Sequence, residues 1–270
     1  MIIDSHIHIG GKNCEFEMRE SDVLYAMQTY NIDKAIVSNA DSVEFDPSHV
    51  ILPKEKQVSQ YNSAVRMINF ARNHTPSVYA AIWIKPNTEQ LEKSFAELLR
   101  RNLDIIKAIK VHPFYSVLRF NDIKMYEYIE LAESLNLPVM VHTANDEFSK
   151  PELVFDMAKK YPAVKFIMAH LELNSDNRHA TELCAQLPNL FADTAWVSIT
   201  NAIAFVNQCG SEKLLFGSDT PIDGRDTYLK NKAGNRSIYQ DYFYELEKFI
   251  SHAEYENIMY KNALRLFNIS

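Results

Sequence analysis

The sequence predicts a (β/α)8 barrel forming one domain over residues 1–270. Three observations predict it: eight short β-branched runs, helical stripes between them, and no linker, repeat or low-complexity tract to divide the chain. The predicted strands cover residues 2–8, 34–38, 78–84, 106–112, 138–143, 164–170, 189–194 and 213–219. Helical spacing follows them. Leu91, Phe95, Leu98 and Leu99 make one apolar stripe, Tyr126, Ile129, Ala132 and Leu135 a second, and Leu153, Val154, Met157 and Ala158 a third. Alternation of this kind implies parallel strands joined by crossover helices. After the eighth strand, residues 239–249 and 254–267 read as closing helices. Two connections, 39–56 and 220–236, are long for βα loops and are candidates for a lid over the mouth. A doubly wound open sheet is the structural alternative; the missing Gly-rich first turn favours closure.

Composition narrows the chemistry. The 270 residues carry 28 Lys+Arg against 35 Asp+Glu, a net charge of −7, which argues against a nucleic-acid phosphate backbone as partner. No apolar run approaches the ~20 residues of a membrane span. There are six glycines, Gly10, Gly11, Gly210, Gly217, Gly224 and Gly234. From these positions neither a dinucleotide fingerprint, a P-loop nor a G-x-S-x-G elbow can be written. Cys14, Cys184 and Cys209 have no C-x-x-C spacing, which suits a reducing compartment. With no basic leader at MIIDSHIHIG, the expected location is cytoplasmic.

Strand ends carry the reactive side chains. Alternate residues of a strand point the same way, so His6 and His8 of the first run aim two imidazoles at one spot. The fifth run ends at His142, the sixth at His170 and the eighth at Asp219. In a barrel these ends converge on one mouth. A single strand-end histidine is more often structural than functional; four with an aspartate on the same face are hard to explain as packing, given the desolvation cost. Imidazole nitrogen and carboxylate oxygen suit Zn2+, Mn2+ or Fe2+, and an open ligand position would bring a bound water's pKa to about 7. In IIKAIKVHPF, alternation places Ala108, Lys110 and His112 on one face and Ile109 and Val111 on the other, so Lys110 and His112 are expected to line the barrel.

IDSHIH at 3–8, VHT at 141–143, AHLE at 169–172, LLFGSDTP at 214–221 and YKNALRLFNI at 260–269 together resemble the amidohydrolase superfamily. The resemblance is nearest to its amidohydrolase-related branch, which also contains aminocarboxymuconate-semialdehyde decarboxylase and other non-oxidative decarboxylases. It implies one divalent ion, zinc first with manganese or iron as alternatives, held by His6, His8, His142 and Asp219. Asp219 would also accept a proton, and His170 would polarise the substrate or shuttle protons. Binuclear members place a carboxylated lysine or a glutamate on the fourth strand. Lys110 stands there, either as such a carbamate or, the favoured reading, as a cation that binds an acidic substrate beside His112. The resemblance also allows a homodimer.

The expected activity is hydrolysis of a C–N, C–O or lactone bond in a small carboxylated molecule; non-oxidative decarboxylation of an unsaturated or aromatic acid is the alternative. The deoxyribonuclease branch is disfavoured by the missing fourth-strand glutamate and by the net charge, and a binding scaffold by the complete His and Asp set. Asp4 is expected to be an internal hydrogen-bond acceptor. Packing or exposed roles are expected for Trp196, Arg119 and Arg225, and surface positions for His49, His74, His179 and His252.

Overall fold

A computed structural model describes residues 1–14, 16–223 and 237–269 of the chain. Eight strands, β1 (Ile3–Ile9), β2 (Lys34–Asn39), β3 (Val78–Trp83), β4 (Ile106–Val111), β5 (Val139–Ala144), β6 (Phe166–Leu173), β7 (Leu190–Asp193) and β8 (Leu214–Leu215), form one sheet in sequence order. Every neighbouring pair is parallel. The crossovers hold the principal helices: α1 (Glu20–Tyr30), α2 (Gln60–Asn73), α3 (Lys93–Arg101), α4 (Pro113–Ser116), α5 (Tyr126–Ser134), α6 (Pro151–Lys160), α7 (Arg178–Gln186) and α8 (Ile199–Cys209). The C-terminal α9 (Gln240–Tyr244), α10 (His252–Glu256) and α11 (Asn262–Phe267) follow β8. Local chemistry marks where helices begin. Ser59 and Ser198 accept from the backbone N–H groups of Asn62 and Asn201 at the starts of α2 and α8, and Pro151 opens α6, where its missing N–H costs nothing.

Period-two alternation sorts the strand residues into two cores. Val37, Ile82, Ile109, Val141 and Met168 pack with helix residues such as Val23, Phe95, Ile129 and Val154. Their neighbours Ile36, Ala81, Ala108, Met140 and Ile167 pack together on the opposite face, with Leu266 and Phe267 of α11. This is an eight-stranded parallel α/β architecture consistent with a TIM barrel. Among the described residues no helix is long and apolar enough to cross a membrane.

The last predicted strand is shorter than expected. Only Leu214 and Leu215 ladder with β7, and the chain then turns to β1. Ser5 N–H donates to Phe216 O at 2.9 Å, Asp219 N–H to His6 O at 2.8 Å and His8 N–H to Thr220 O at 2.9 Å. The Thr194 hydroxyl replaces part of the β7 ladder, bonding both N–H and C=O of Gly217 at 3.0 Å. Of the two long connections, 39–56 is fastened to the neighbouring loop. The Glu44 carboxylate accepts from Asn87 N–H, Thr88 N–H and the Thr88 hydroxyl, tying the loop after β2 to the loop after β3. Most of 220–236, with Arg225, lies outside the described residues.

Candidate active site

His6, His8, Lys110, His112, His142, His170 and Asp219 are all at most 9% exposed, as are Asp4 and Asp193. So dense a set of buried ionisable groups carries a desolvation cost of several kcal/mol per charge unless a partner offsets it. The partners are specific. His6 Nδ1 lies 2.8 Å from Asp193 Oδ2, which makes it the proton-bearing nitrogen when Asp193 is ionised and leaves Nε2 with a bare lone pair. Lys110 Nζ points at that lone pair from 2.8 Å, so a cation already stands where His6 faces. His8 Nδ1 is 2.8 Å from the Ser38 hydroxyl. Its Nε2 is 3.0 Å from His6 Nε2 and 2.9 Å from Asp219 Oδ1. Asp219 Oδ1 is 3.5 Å from His6 Nε2.

Those spacings suit one divalent ion. Ligand bonds of about 2.1 Å at octahedral or tetrahedral angles set neighbouring donor atoms about 3.0–3.5 Å apart. Two imidazole nitrogens that face each other across 3.0 Å share at most one proton, so a cation between them satisfies both lone pairs. With the histidines neutral, Asp193 and Asp219 present two negative charges against the one positive charge of Lys110, a surplus a cation would offset. Donor atoms of His6, His170 and Asp219 also form a trio within 4.8 Å of one another. The His142 ring lies beside this trio, 4.8 Å from the His170 ring centroid, and stacks on His112 at 3.8 Å.

Burial pushes the pKa of His6, His8, His112, His142 and His170 below the ordinary value, keeping them in the neutral, ligating form. Burial also lowers Lys110 to about 8. Burial raises Asp4 to about 7; its Oδ1 accepts from His6 N–H and Ser218 N–H while Oδ2 has no hydrogen-bond partner among the described residues. Burial works to raise Asp219 too, but its hydrogen bond to His8 and the neighbouring His6 and His170 leave it well below the usual carboxylate range.

The backbone is contorted where the site is built. His170, Leu171 and Glu172 all have left-handed φ (68°, 47°, 70°), as do Trp196 (63°) and Asp219 (59°). Each such non-glycine residue costs of order 1 kcal/mol or more, so the surroundings must hold it. At His170–Glu172 the pairing of β6 with β5 skips, a bulge that re-aims the strand end. Asn177 Nδ2 bonds the carbonyls of all three bulged residues, and the Thr143 hydroxyl accepts from Glu172 N–H. Asp193 Oδ1 accepts from His170 N–H at 2.9 Å and Ala195 N–H at 3.1 Å. One carboxylate thus fixes both His6 and His170. Gly217 makes the room: a Cβ there would lie 2.9 Å from His6 Cβ.

Above the donor set opens a cavity of about 340 Å3, at the small end for ligand pockets. Trp83, Phe114, Tyr115 and Trp196 wall it, with Lys110 and His112 facing in. Trp83 stacks on His112 at 5.2 Å, continuing the His112–His142 stack. His112 Nδ1 is buried without a hydrogen-bond partner among the described residues. Asp193 and Asn177 carried no sequence signal of their own, one ending an ordinary strand and the other sitting in a polar turn. Trp196, expected to pack, donates its Nε1–H to Asp219 Oδ2 at 2.7 Å. His49, expected at the surface, is packed between Phe114 and Phe148. Arg119 is exposed, and so are His179 and His252.

No curated protein matches the chain in sequence. Solved structures of the same fold cover nearly all of it. A probable 2-pyrone-4,6-dicarboxylic acid hydrolase from Acinetobacter baumannii is 14% identical over 99% of both chains, with a TM-score of 0.68. The 5-carboxyvanillate decarboxylase of Sphingomonas paucimobilis is 12% identical over 100% of this chain and 99% of that one, at 0.69. A dihydroxybenzoic acid decarboxylase from a Polaromonas species, with bound manganese and 2-nitroresorcinol, is 15% identical over 99% and 96%, at 0.68. The family model for amidohydrolases matches residues 3–269, and the chain belongs to that family.

Proposed function

We propose that the chain is a metal-dependent, non-oxidative decarboxylase of a small planar carboxylic acid, built on a single closed (β/α)8 domain. His6, His8, His142 and Asp219 would hold one divalent ion, zinc, manganese or iron. Bound there, the ion would supply a positive centre that orients and polarises the substrate's acid group. The observation that carries the reading is the state of Asp219. Its Oδ1 faces His8 and its Oδ2 accepts from Trp196, and the same surroundings hold it well below the usual carboxylate range, so it is a weak base toward an attacking water.

The chain's own residues account for the rest. Lys110, fully buried, pairs with the substrate carboxylate. His170 Nδ1 faces Ala195 O at 3.3 Å, so Nε2 is the nitrogen that takes up a proton from solvent and passes it to the carbon bearing the carboxylate, the ring returning to its neutral form. The C–C bond then breaks, its electron pair restores the ring, and CO2 departs: one acid anion and one proton become one arene and one CO2. Trp83, Phe114 and Tyr115 exclude water and favour the neutral product over the charged reactant.

Hydrolysis of a lactone or of a C–N or C–O bond is the second reading, supported by the pyrone hydrolase among proteins of this fold. The two are separated by assaying metal-loaded protein on aromatic acids and lactones. Release of CO2 with the arene as co-product is expected; ring-opened acid without CO2 overturns decarboxylation in favour of hydrolysis.

A further inference from the structure

The pocket has two chemically different ends. Lys110 lies deep, opposite Met140 in the β4–β5 ladder, and is the one lysine or arginine among the described pocket-lining residues. Asp146 lines the same cavity six positions beyond Met140, past the end of β5, so it belongs to the outer rim. Its Oδ1 is pinned by the backbone N–H groups of Phe148 at 2.9 Å and Ser149 at 3.1 Å, which fixes the carboxylate through one of its two oxygens. Asn145 and Asn174 stand beside it on the rim.

Resting on the decarboxylase reading above, the geometry points to Asp146 as the specificity-determining residue for the far side of the substrate. The ligand is a single aromatic ring with one carboxylate, held at the Lys110 end, and a hydroxyl or amino donor toward Asp146. A cavity of about 340 Å3 holds one substituted ring between Trp83 and Trp196. A second carboxylate would meet Asp146, a fixed like charge with no described cation beside it, so monoacids with a distal donor bind and diacids are refused.

The test uses the two tryptophans of the chain, Trp83 and Trp196, both on the pocket wall, as intrinsic reporters. Fluorescence of the manganese-loaded protein is titrated with benzoate, 3- and 4-hydroxybenzoate, and benzene-1,4-dicarboxylate. At least one hydroxybenzoate should quench at a Kd severalfold below that of benzoate, with the dicarboxylate weaker than it by about tenfold or more. In Asp146→Asn, whose Oδ1 still accepts from Phe148 and Ser149, the dicarboxylate should gain about tenfold and the hydroxyl preference should shrink. An unchanged melting temperature confirms that the variant folds. Equal affinity for all the acids, or a variant that behaves as wild type, overturns the role of Asp146 alone. No quenching by any of them overturns the substrate class and the decarboxylase reading together.

Discussion

The Trp196 indole N–H donates to Asp219 Oδ2 at 2.7 Å, while Oδ1 of the same carboxylate lies 2.9 Å from His8 Nε2. One side of Asp219 is therefore fastened by the pocket wall and the other is offered to the donor set. Trp196 can reach it because the residue adopts a left-handed φ of 63° just past β7. Partners of this kind orient a ligand, and their loss typically costs 10–100-fold in metal affinity. Trp196→Phe keeps the ring and removes the donor. We expect it to weaken ion binding by about tenfold or more in a competition with a chelator. Wild-type affinity would show that the indole only packs.

His142 and His170 divide the roles of ligand and proton carrier. The geometry groups His170 with His6 and Asp219, whereas His142 is stacked on His112. With His142 as ligand and His170 as proton donor, His142→Ala should lower bound metal and turnover together. His170→Asn should keep near-stoichiometric metal while turnover falls by about 10²–10⁴-fold. Elemental analysis of both variants checks this, and metal loss in His170→Asn alone would exchange the two roles.

The parts of this site written as strand ends were legible in the sequence. His6, His8, His142, His170 and Asp219 each terminate or follow a β-branched run, and lumen-facing Lys110 and His112 followed from alternation with Ile109 and Val111. What could not be read depended on contacts distant in sequence or on irregular backbone. Asp193 is significant because it meets His6 across 187 positions, and nothing local distinguishes it from a surface aspartate. Asn177 matters only once His170–Glu172 bulge. The shortening of β8 arises because Phe216–Thr220 bonds to β1 instead of β7, a competition that periodicity does not record. His49 is half-buried because its long loop folds back against Phe114 and Phe148.

Asp193 sets the tautomer of His6. Its Oδ2 accepts from Nδ1–H, so the lone pair is on Nε2, facing Lys110 and His8. In Asp193→Asn the amide can present N–H₂ to Nδ1, which moves the ring proton to Nε2 and blocks ligation there. Metal affinity should fall about 10–100-fold. Asn Oδ1 can still accept from His170 N–H and Ala195 N–H, so the loss of stability should stay within about 1–3 kcal/mol. Isothermal titration with the ion and thermal unfolding of the metal-free variant separate the two effects. Unaltered affinity would leave Asp193 with a purely structural role.

Acidification should destabilise the metal-free protein, beginning near pH 6.5. His6, His8, His112, His142 and His170 are all lowered by burial, so below that pH the unfolded chain binds protons that the folded chain refuses. Unfolding then takes up protons, and stability falls as pH falls. Asp4 works in the opposite direction. Raised to about 7 in the fold from 3.8, it binds a proton on folding between those values and favours the native state as pH drops. Burial also raises Glu44, Glu172 and Asp193, which act with Asp4, but the five rings lose their charge in the fold across this whole window, so the melting temperature of apoprotein should decline from pH 7 to pH 5. Saturating metal should steepen the decline, since protons compete with the ion for the same imidazoles. A melting temperature that is flat or rises over this range would mean that the five rings are not held neutral in a common buried site.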